Sequence, residues 1–195
     1  MKLSLENISK SYGENYVLKD ISLCVENESV ALMGKSGSGK TTLLRIAAGL
    51  ENPDSGEVKS DGKIAFSFAE PRLFDNISIL ENVTCVMNGD EKSNSDIAKE
   101  ILSSLALSDV CEKKPSELSS GMAQRVSLAR LIASGRDICL LDEPLHALDE
   151  STKGIVISAL QKYLRGKCAI IVTHSEDEAK SLCQKIYTIS DGVLK

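Results

Sequence analysis

The sequence predicts an α/β protein with a parallel sheet core, a small antiparallel β lobe and a helical insertion. Three observations predict it. Val30-Ala31-Leu32-Met33 is a short apolar run that leads into a glycine-rich stretch and then into a helix-period segment. Ile138-Cys139-Leu140-Leu141 and Ala169-Ile170-Ile171-Val172 are continuous apolar runs bounded by polar residues, the pattern of strands covered on both faces. Segments 2–8, 17–25, 57–60 and 64–68 instead mix alternation with turns, the pattern of an antiparallel lobe.

Each element has its own reason. After the glycine-rich stretch, Leu43, Leu44, Ile46, Ala47 and Leu50 repeat as a helix that stops before the turn cluster Asn52-Pro53-Asp54-Ser55-Gly56. Asn88 to Ser95 is polar and reads as a loop. From Ser95 to Leu107, Ile97, Ile101, Leu102 and Leu105 form an amphipathic stripe, which places a helical insertion in the middle of the chain. Between the two later apolar runs, Ile155, Ala159, Leu160 and Leu164 fall at helical spacing, so the C-terminal part reads as strand, helix, strand. The expected organisation is one domain over 1–195 with a helical subdomain at approximately 75–135 and no C-terminal regulatory domain.

Composition narrows the function. At 195 residues and 42% hydrophobic content, a core can form without disulfides or a structural metal. No apolar run approaches the roughly 20 residues that span a bilayer, and the N-terminus lacks a signal-peptide core, so the chain is expected in the cytoplasm. The six cysteines form no C-x-x-C pair and mostly sit in apolar segments, which suggests buried, reduced thiols. A net charge of -5 without a basic patch argues against nucleic acid as a partner.

Gly34-Lys35-Ser36-Gly37-Ser38-Gly39-Lys40-Thr41 satisfies G-x-x-x-x-G-K-[ST] between a predicted strand and a predicted helix, and Thr42 follows it. In that setting the glycines let successive amides point at phosphate oxygens, and the helix N-terminus adds partial positive charge. Lys40 would reach the β and γ phosphates as a point charge, and the Thr41 hydroxyl would be a magnesium ligand. A nucleoside triphosphate with Mg2+ is expected, and the loop alone leaves kinases, GTPases and many ATPases open.

Asp142 and Glu143 end the apolar run 138–141, at the strand end where open α/β sheets place ligands. Two acids there divide the work: Asp142 holds the magnesium, directly or through water, and Glu143 polarises the attacking water. His174 follows the run 169–172 and could meet the same crevice, where an imidazole can donate to charge developing on the γ-phosphate.

Leu118-Ser119-Ser120-Gly121-Met122-Ala123-Gln124-Arg125-Val126-Ser127-Leu128-Ala129-Arg130 resembles the signature segment of ABC transporter ATPases, commonly L-S-G-G-Q followed by a helix rich in Arg and Ala. The resemblance extends from about Leu3 to Gly192. It implies the P-loop NTPase fold of the ABC ATPases. Tyr12 matches the aromatic that stacks on adenine, Ala147-Leu148-Asp149 the D-loop, and His174 the switch histidine. Ser119, Ser120, Gly121 and Met122 would contact the ATP of another subunit, because in this family two such domains pair head to tail over two ATP molecules.

The implied partners are a second ATPase subunit, identical or not, transmembrane permease subunits and, for an importer, an extracytoplasmic substrate-binding protein. The implied location is peripheral, on the inner face of the cell membrane. Glu70 to Val83 looks like the loop after the glutamine motif in bacterial importers, particularly the sulfonate, nitrate and taurine group, and Ser175-Glu176-Asp177-Glu178-Ala179 also resembles importers.

The sequence departs from the family where Ala69 stands in place of the usual glutamine, and where Ser120 and Met122 replace a glycine and a glutamine of the signature. A methyl group makes none of an amide's hydrogen bonds. These changes imply slow turnover with ordinary nucleotide binding, and leave open a degenerate, regulatory nucleotide-binding subunit. A soluble ABC protein acting on DNA or the ribosome would want a coiled-coil insertion, a duplicated domain or a basic surface. A P-loop kinase gives no reason for the 118–125 segment, and a GTPase would show N-K-x-D; none of these features occurs.

Overall fold

The computed structural model describes residues 1–195, which fold as two compact units. The first comprises Met1–Phe66, Asp137–Glu143 and Leu164–Lys195; the second comprises Ser67–Arg136 and Pro144–Tyr163.

In the first unit, β1 (Lys2–Tyr12), β2 (Asn15–Glu26) and β4 (Ser55–Ser60) form a three-stranded antiparallel sheet in the order β2-β1-β4. Beside it lies a six-stranded sheet built on three buried parallel strands: β3 (Ser29–Met33), β6 (Ile138–Asp142) and β7 (Cys168–Val172). Its order is β5-β6-β7-β3-β8-β9, with β5 at Ile64–Ser67, β8 at Lys185–Ser190 and β9 at Val193–Leu194. β3 pairs in parallel with both β7 and β8, and β6 with β7, while β8 and β9 close an antiparallel hairpin. The apolar runs that predicted β6 and β7 are buried along their whole length because both are interior strands. Helix α1 (Lys40–Ala47) turns Leu43, Leu44, Ile46 and Ala47 into the same core as Leu3, Leu5 and Ile8 of β1 and Ile138 and Leu140 of β6. That core fixes the helix start against the strand ends.

The second unit contains α2 (Ile79–Thr84), α3 (Glu91–Ser104), α4 (Ser120–Ala133) and α5 (Glu150–Leu164), which ends at the unit's boundary. Helices α2, α3 and α4 pack on one another. Arg125 of α4 donates to the carbonyls of Leu105 (2.9 Å) and Ala106 (2.7 Å), satisfying acceptors that the end of α3 leaves open. Asn82, fully buried, accepts from the Phe74 amide (2.8 Å) and donates to the carbonyls of Phe74 and Ser78 (both 3.0 Å), which orders the 74–78 loop. The last helix, α6 (Glu176–Leu182), belongs to the first unit. No helix is long and apolar enough to cross a membrane.

Four expectations change. Segment 64–68, assigned to the antiparallel lobe, forms β5 at the edge of the larger sheet, because alternation over a few residues does not name a pairing partner. The stretch 88–95, expected to be a loop, contains the start of α3: Asp90 caps it by accepting from the Ser93 amide (2.9 Å), and the polar residues that follow form its solvated turn. Ile97 and Ile155 are 47% and 46% exposed, so the buried stripes run instead through Ala98, Leu102 and Leu105, and through Val156, Leu160 and Leu164. Among the thiols, only Cys139 and Cys168 are buried; Cys24 points outward between buried Leu23 and Val25, as strand alternation dictates, and Cys85 is exposed at the end of α2. Burial pushes the Cys168 thiol up to about 12, which keeps it protonated and unreactive.

Candidate nucleotide-binding site

The site is assembled at the C-terminal ends of β3, β6 and β7, all within the first unit. β3 ends at Met33, and the chain must turn at once to start α1 at Lys40. Gly34 makes that turn with φ 141, and a Cβ there would lie 2.3 Å from the Ile189 carbonyl oxygen and 2.9 Å from Ser38 Oγ. Only glycine fits. Gly39 occupies the N-cap of α1, whose first turn carries no acidic residue, so the helix presents free amides and its positive end to an anion.

Lys40 is 5% exposed, and its Nζ donates to the carbonyls of Gly34 and Lys35 (both 2.9 Å). Burial lowers its pKa, opposed by the nearby carboxylates of Glu143 and Asp142. The Thr41 hydroxyl donates to Asp142 Oδ1 (3.2 Å) across the gap between α1 and the end of β6. Asp142 is also 5% exposed, and desolvation raises its pKa against the lowering effect of the Thr41 hydrogen bond. A hydroxyl and a carboxylate at this separation are the hard oxygen donors that suit Mg2+, and the donor set therefore fits the ion.

Glu143 leaves β6 with φ 46, in the left-handed region that non-glycine residues rarely adopt, and its amide donates to the Val172 carbonyl at the end of β7 (2.9 Å). That backbone tie turns its carboxylate toward His174, whose Nε2–H donates to Glu143 Oε1 (2.9 Å). His174 is itself placed by its neighbour. Thr173, 2% exposed, accepts from the Ser175 amide (3.1 Å) and donates to Glu178 Oε2 (2.6 Å), locking the short link between β7 and α6.

Tyr12, Ser36, Gly37, Gly39, Lys40, Thr41, Thr42, Glu143 and His174 line one groove of about 260 Å3. The Tyr12 ring is 52% exposed, and its hydroxyl donates to Glu51, which raises the phenol's pKa. Gly34, Lys35 and Ser38 line a neighbouring groove instead. Two contributors escaped the sequence reading. Val17 lines the Tyr12 groove, and Glu51 holds Tyr12; the first is findable only from the β1–β2 register, which pairs Tyr12 with Asn15, and the second had no sequence signal.

Ser119, Ser120, Gly121, Met122 and Asp149 lie in the second unit. Ser119 is the N-cap of α4, its hydroxyl accepting from the Met122 amide (3.3 Å), and a Cβ on Gly121 would come within 2.8 Å of the Ala147 carbonyl oxygen. Asp149 accepts from the hydroxyls of Ser151 and Thr152 and from the Thr152 amide (3.0 Å), which holds its carboxyl well below the usual range.

A phosphate loop with an acid pair at the next strand end is shared by several nucleotide-binding families, and similarity to known proteins distinguishes them. The family model described as ABC transporter matches residues 18–146. An aliphatic sulfonates import ATP-binding protein, SsuB, of Corynebacterium glutamicum is 39% identical over 98% of this chain and 81% of its own length. A sulfate/thiosulfate import ATP-binding protein, CysA, of Shigella flexneri is 36% identical over 98% of this chain, which spans 58% of that longer relative. Among solved structures, the dimeric post-hydrolysis state of the ATP-binding cassette MJ0796, bound to ADP and Pi, superposes with a TM-score of 0.92 at 32% identity over 99% of this chain and 96% of that one. The family model covers more than half of the chain and the relatives cover nearly all of it: the chain belongs to the ABC transporter ATP-binding proteins.

Proposed function

We propose that this chain binds ATP in the Tyr12 groove and hydrolyses it to power an importer, with Glu143 as the base. The observation that carries this reading is the His174–Glu143 hydrogen bond in a groove that also contains Lys40 and Thr41. The adenine stacks on the exposed ring of Tyr12, and the phosphates lie along the amides of Ser36 to Thr42, which completes the roles of Gly34 to Thr42 as the phosphate loop. Lys40 exchanges the carbonyls of Gly34 and Lys35 for the β and γ phosphate oxygens. Thr41 and Asp142 would hold Mg2+, which when bound supplies charge neutralisation at those oxygens.

Glu143 accepts a proton from water as the water oxygen bonds to the γ-phosphorus; the bond to the bridging oxygen breaks, and ADP and phosphate leave. His174 keeps the Glu143 carboxylate aimed before the phosphates arrive, and then turns that N–H from Glu143 to the charge gathering on the γ-phosphate. The second unit supplies Ser119, Ser120, Gly121 and Met122 to the ATP of a second ATPase subunit, with Asp149 in the D-loop. The domain runs over 1–195, with residues 75–135 as its helical subdomain.

Transmembrane permease subunits receive the closing and opening of the pair, an extracytoplasmic binding protein delivers cargo, and the chain sits at the inner face of the cell membrane. The similarity to sulfonate and sulfate importers supports import and an oxyanionic cargo.

Ala69 supports a second reading, a subunit that binds ATP but turns it over slowly, because the family's glutamine amide is missing there. Steady-state phosphate release from Mg-ATP separates the two. The working ATPase predicts measurable release that falls by at least about 100-fold in Glu143→Gln and rises in Ala69→Gln. ATP binding without release in either the parent or Ala69→Gln would establish the binding subunit.

A further inference from the structure

A second groove, larger than the first, lies on the other side of the phosphate loop; residues 34–38 form one wall of it, and the rest of its walls have no part in the hydrolysis reading. Its volume is about 610 Å3, and it is enclosed by the start of β2, residues 34–38 and the β8–β9 turn. Lys40, Thr41, Glu143 and His174 are absent from its walls; the two grooves share only Val17, Ser36 and Gly37 along the loop between them.

Its walls carry complementary chemistry. Tyr16 stands 66% exposed at one end, with no bond to its hydroxyl. The ammonium groups of Lys19 and Lys35 have no acceptor in the protein. At the floor, Ser38 Oγ is buried without a partner, 2.9 Å from where a Gly34 side chain would begin. Buried polar atoms are seldom left unpaired. Opposite, Asp191 accepts only from the Ser190 hydroxyl (3.0 Å), leaving carboxylate capacity for another donor.

We propose that this groove binds a nucleoside phosphate, separate from the ATP in the Tyr12 groove. Its ring lies on Tyr16, its phosphate between Lys19 and Lys35, and a sugar hydroxyl reaches Asp191. Strand geometry sets the length. Tyr16 and Lys19 are three residues apart on β2, at most about 10 Å along the strand, which bulges between Tyr16 and Leu18. A ligand that meets both ends must span from a ring to a phosphate, which inorganic phosphate or sulfate cannot do. Unpaired ammonium groups bind phosphate as point charges, and a tyrosine face stacks on any base. The groove's volume is within the range of small-molecule sites.

The chain contains no tryptophan, so Tyr16→Trp places a single indole fluorophore on the groove wall. Equilibrium dialysis first measures binding of a non-hydrolysable ATP analogue with Mg2+. Failure there counts against the Tyr12 groove and leaves the second titration to be read on its own. With the analogue saturating, AMP is titrated while the indole emission is followed.

The expected result is a saturable change with half-saturation below about 1 mM. Inorganic phosphate should produce none in that range, and Lys19→Glu should shift the AMP midpoint at least about tenfold while the analogue's own affinity stays unchanged. The proposal is overturned by no saturable change up to about 10 mM AMP, by a midpoint unmoved in Lys19→Glu, by phosphate binding as well as AMP, or by AMP displacing the analogue one for one.

Discussion

Asp142 shows what a functional residue costs the fold. Its carboxylate is buried against Thr41, and desolvation raises its pKa, so the folded state holds that proton more firmly than the unfolded chain does. The stability consequence follows in sign. Below the unfolded carboxylate's titration range the raised group favours folding; as pH rises through its folded pKa that contribution is lost, and at neutral pH the ionised group is a liability. Lys40 is lowered by burial, so it too is charged at neutral pH at a cost to the folded state, one that disappears only as pH rises toward the unfolded lysine's pKa. Asp142→Asn keeps an oxygen for the Thr41 hydroxyl and removes the buried charge. It is expected to raise the Tm of the nucleotide-free chain at pH 7 by roughly 2–4 °C, the shift that about 1 kcal/mol produces at this length. It should also abolish the further rise that Mg-ATP gives the parent. A scanning calorimetry pair with and without Mg-ATP checks both, and a lower nucleotide-free Tm would show that Asp142 stabilises the fold.

At the scale of elements, the turn from β3 into α1 decides whether a site exists at all. Gly34→Ala would drive a Cβ into the Ile189 carbonyl at a φ that L side chains rarely adopt. Both are backbone conflicts, which a side-chain rotation cannot relieve. The expected loss is about 2 kcal/mol or more, with a Tm lower by roughly 4–8 °C and weakened ATP binding; thermal unfolding with no measurable loss would mean that β8 yields easily. This turn was legible in the sequence because strand, loop and helix leave local marks: an apolar run, spaced glycines and a Lys-Thr pair. β6 and β7 were legible for the same reason, and so were Asp142, Glu143 and His174 at their ends. What was not legible depends on partners far along the chain. The few residues of β5 could not declare their sheet, the polar opening of α3 matched a loop until Asp90 was seen to cap it, and Ile97 and Ile155 satisfied helical spacing without facing a core. In the site, Glu51 reaches Tyr12 from 39 residues away, a distance that no local pattern encodes.

For the whole molecule, the proposed reaction needs two chains, because the resemblance to the family implies that the signature segment of one chain contacts the ATP of the other. The phosphate loop, Glu143 and His174 belong to the first unit, while Ser119 and Gly121, proposed to contact a partner's ATP, and Asp149 of the D-loop belong to the second. ATP would then stabilise an assembled pair in proportion to the contacts it makes with both chains, and hydrolysis would remove the γ-phosphate that bridges them. Glu143→Gln separates the binding step from the chemical one. It keeps Lys40, Thr41 and Asp142 for the phosphates and magnesium and removes the carboxylate that takes the water's proton. Light scattering on this variant should show a monomer without nucleotide and a dimer of twice the mass with Mg-ATP, persisting for hours, whereas Mg-ADP should give a monomer. Adding Lys40→Ala to the same variant should cancel the ATP-driven dimer by weakening nucleotide binding at least about tenfold. A Glu143→Gln chain that stays monomeric with bound ATP would place the second half of the site on a different subunit, and mixing with candidate partner ATPases would then be the route to the dimer.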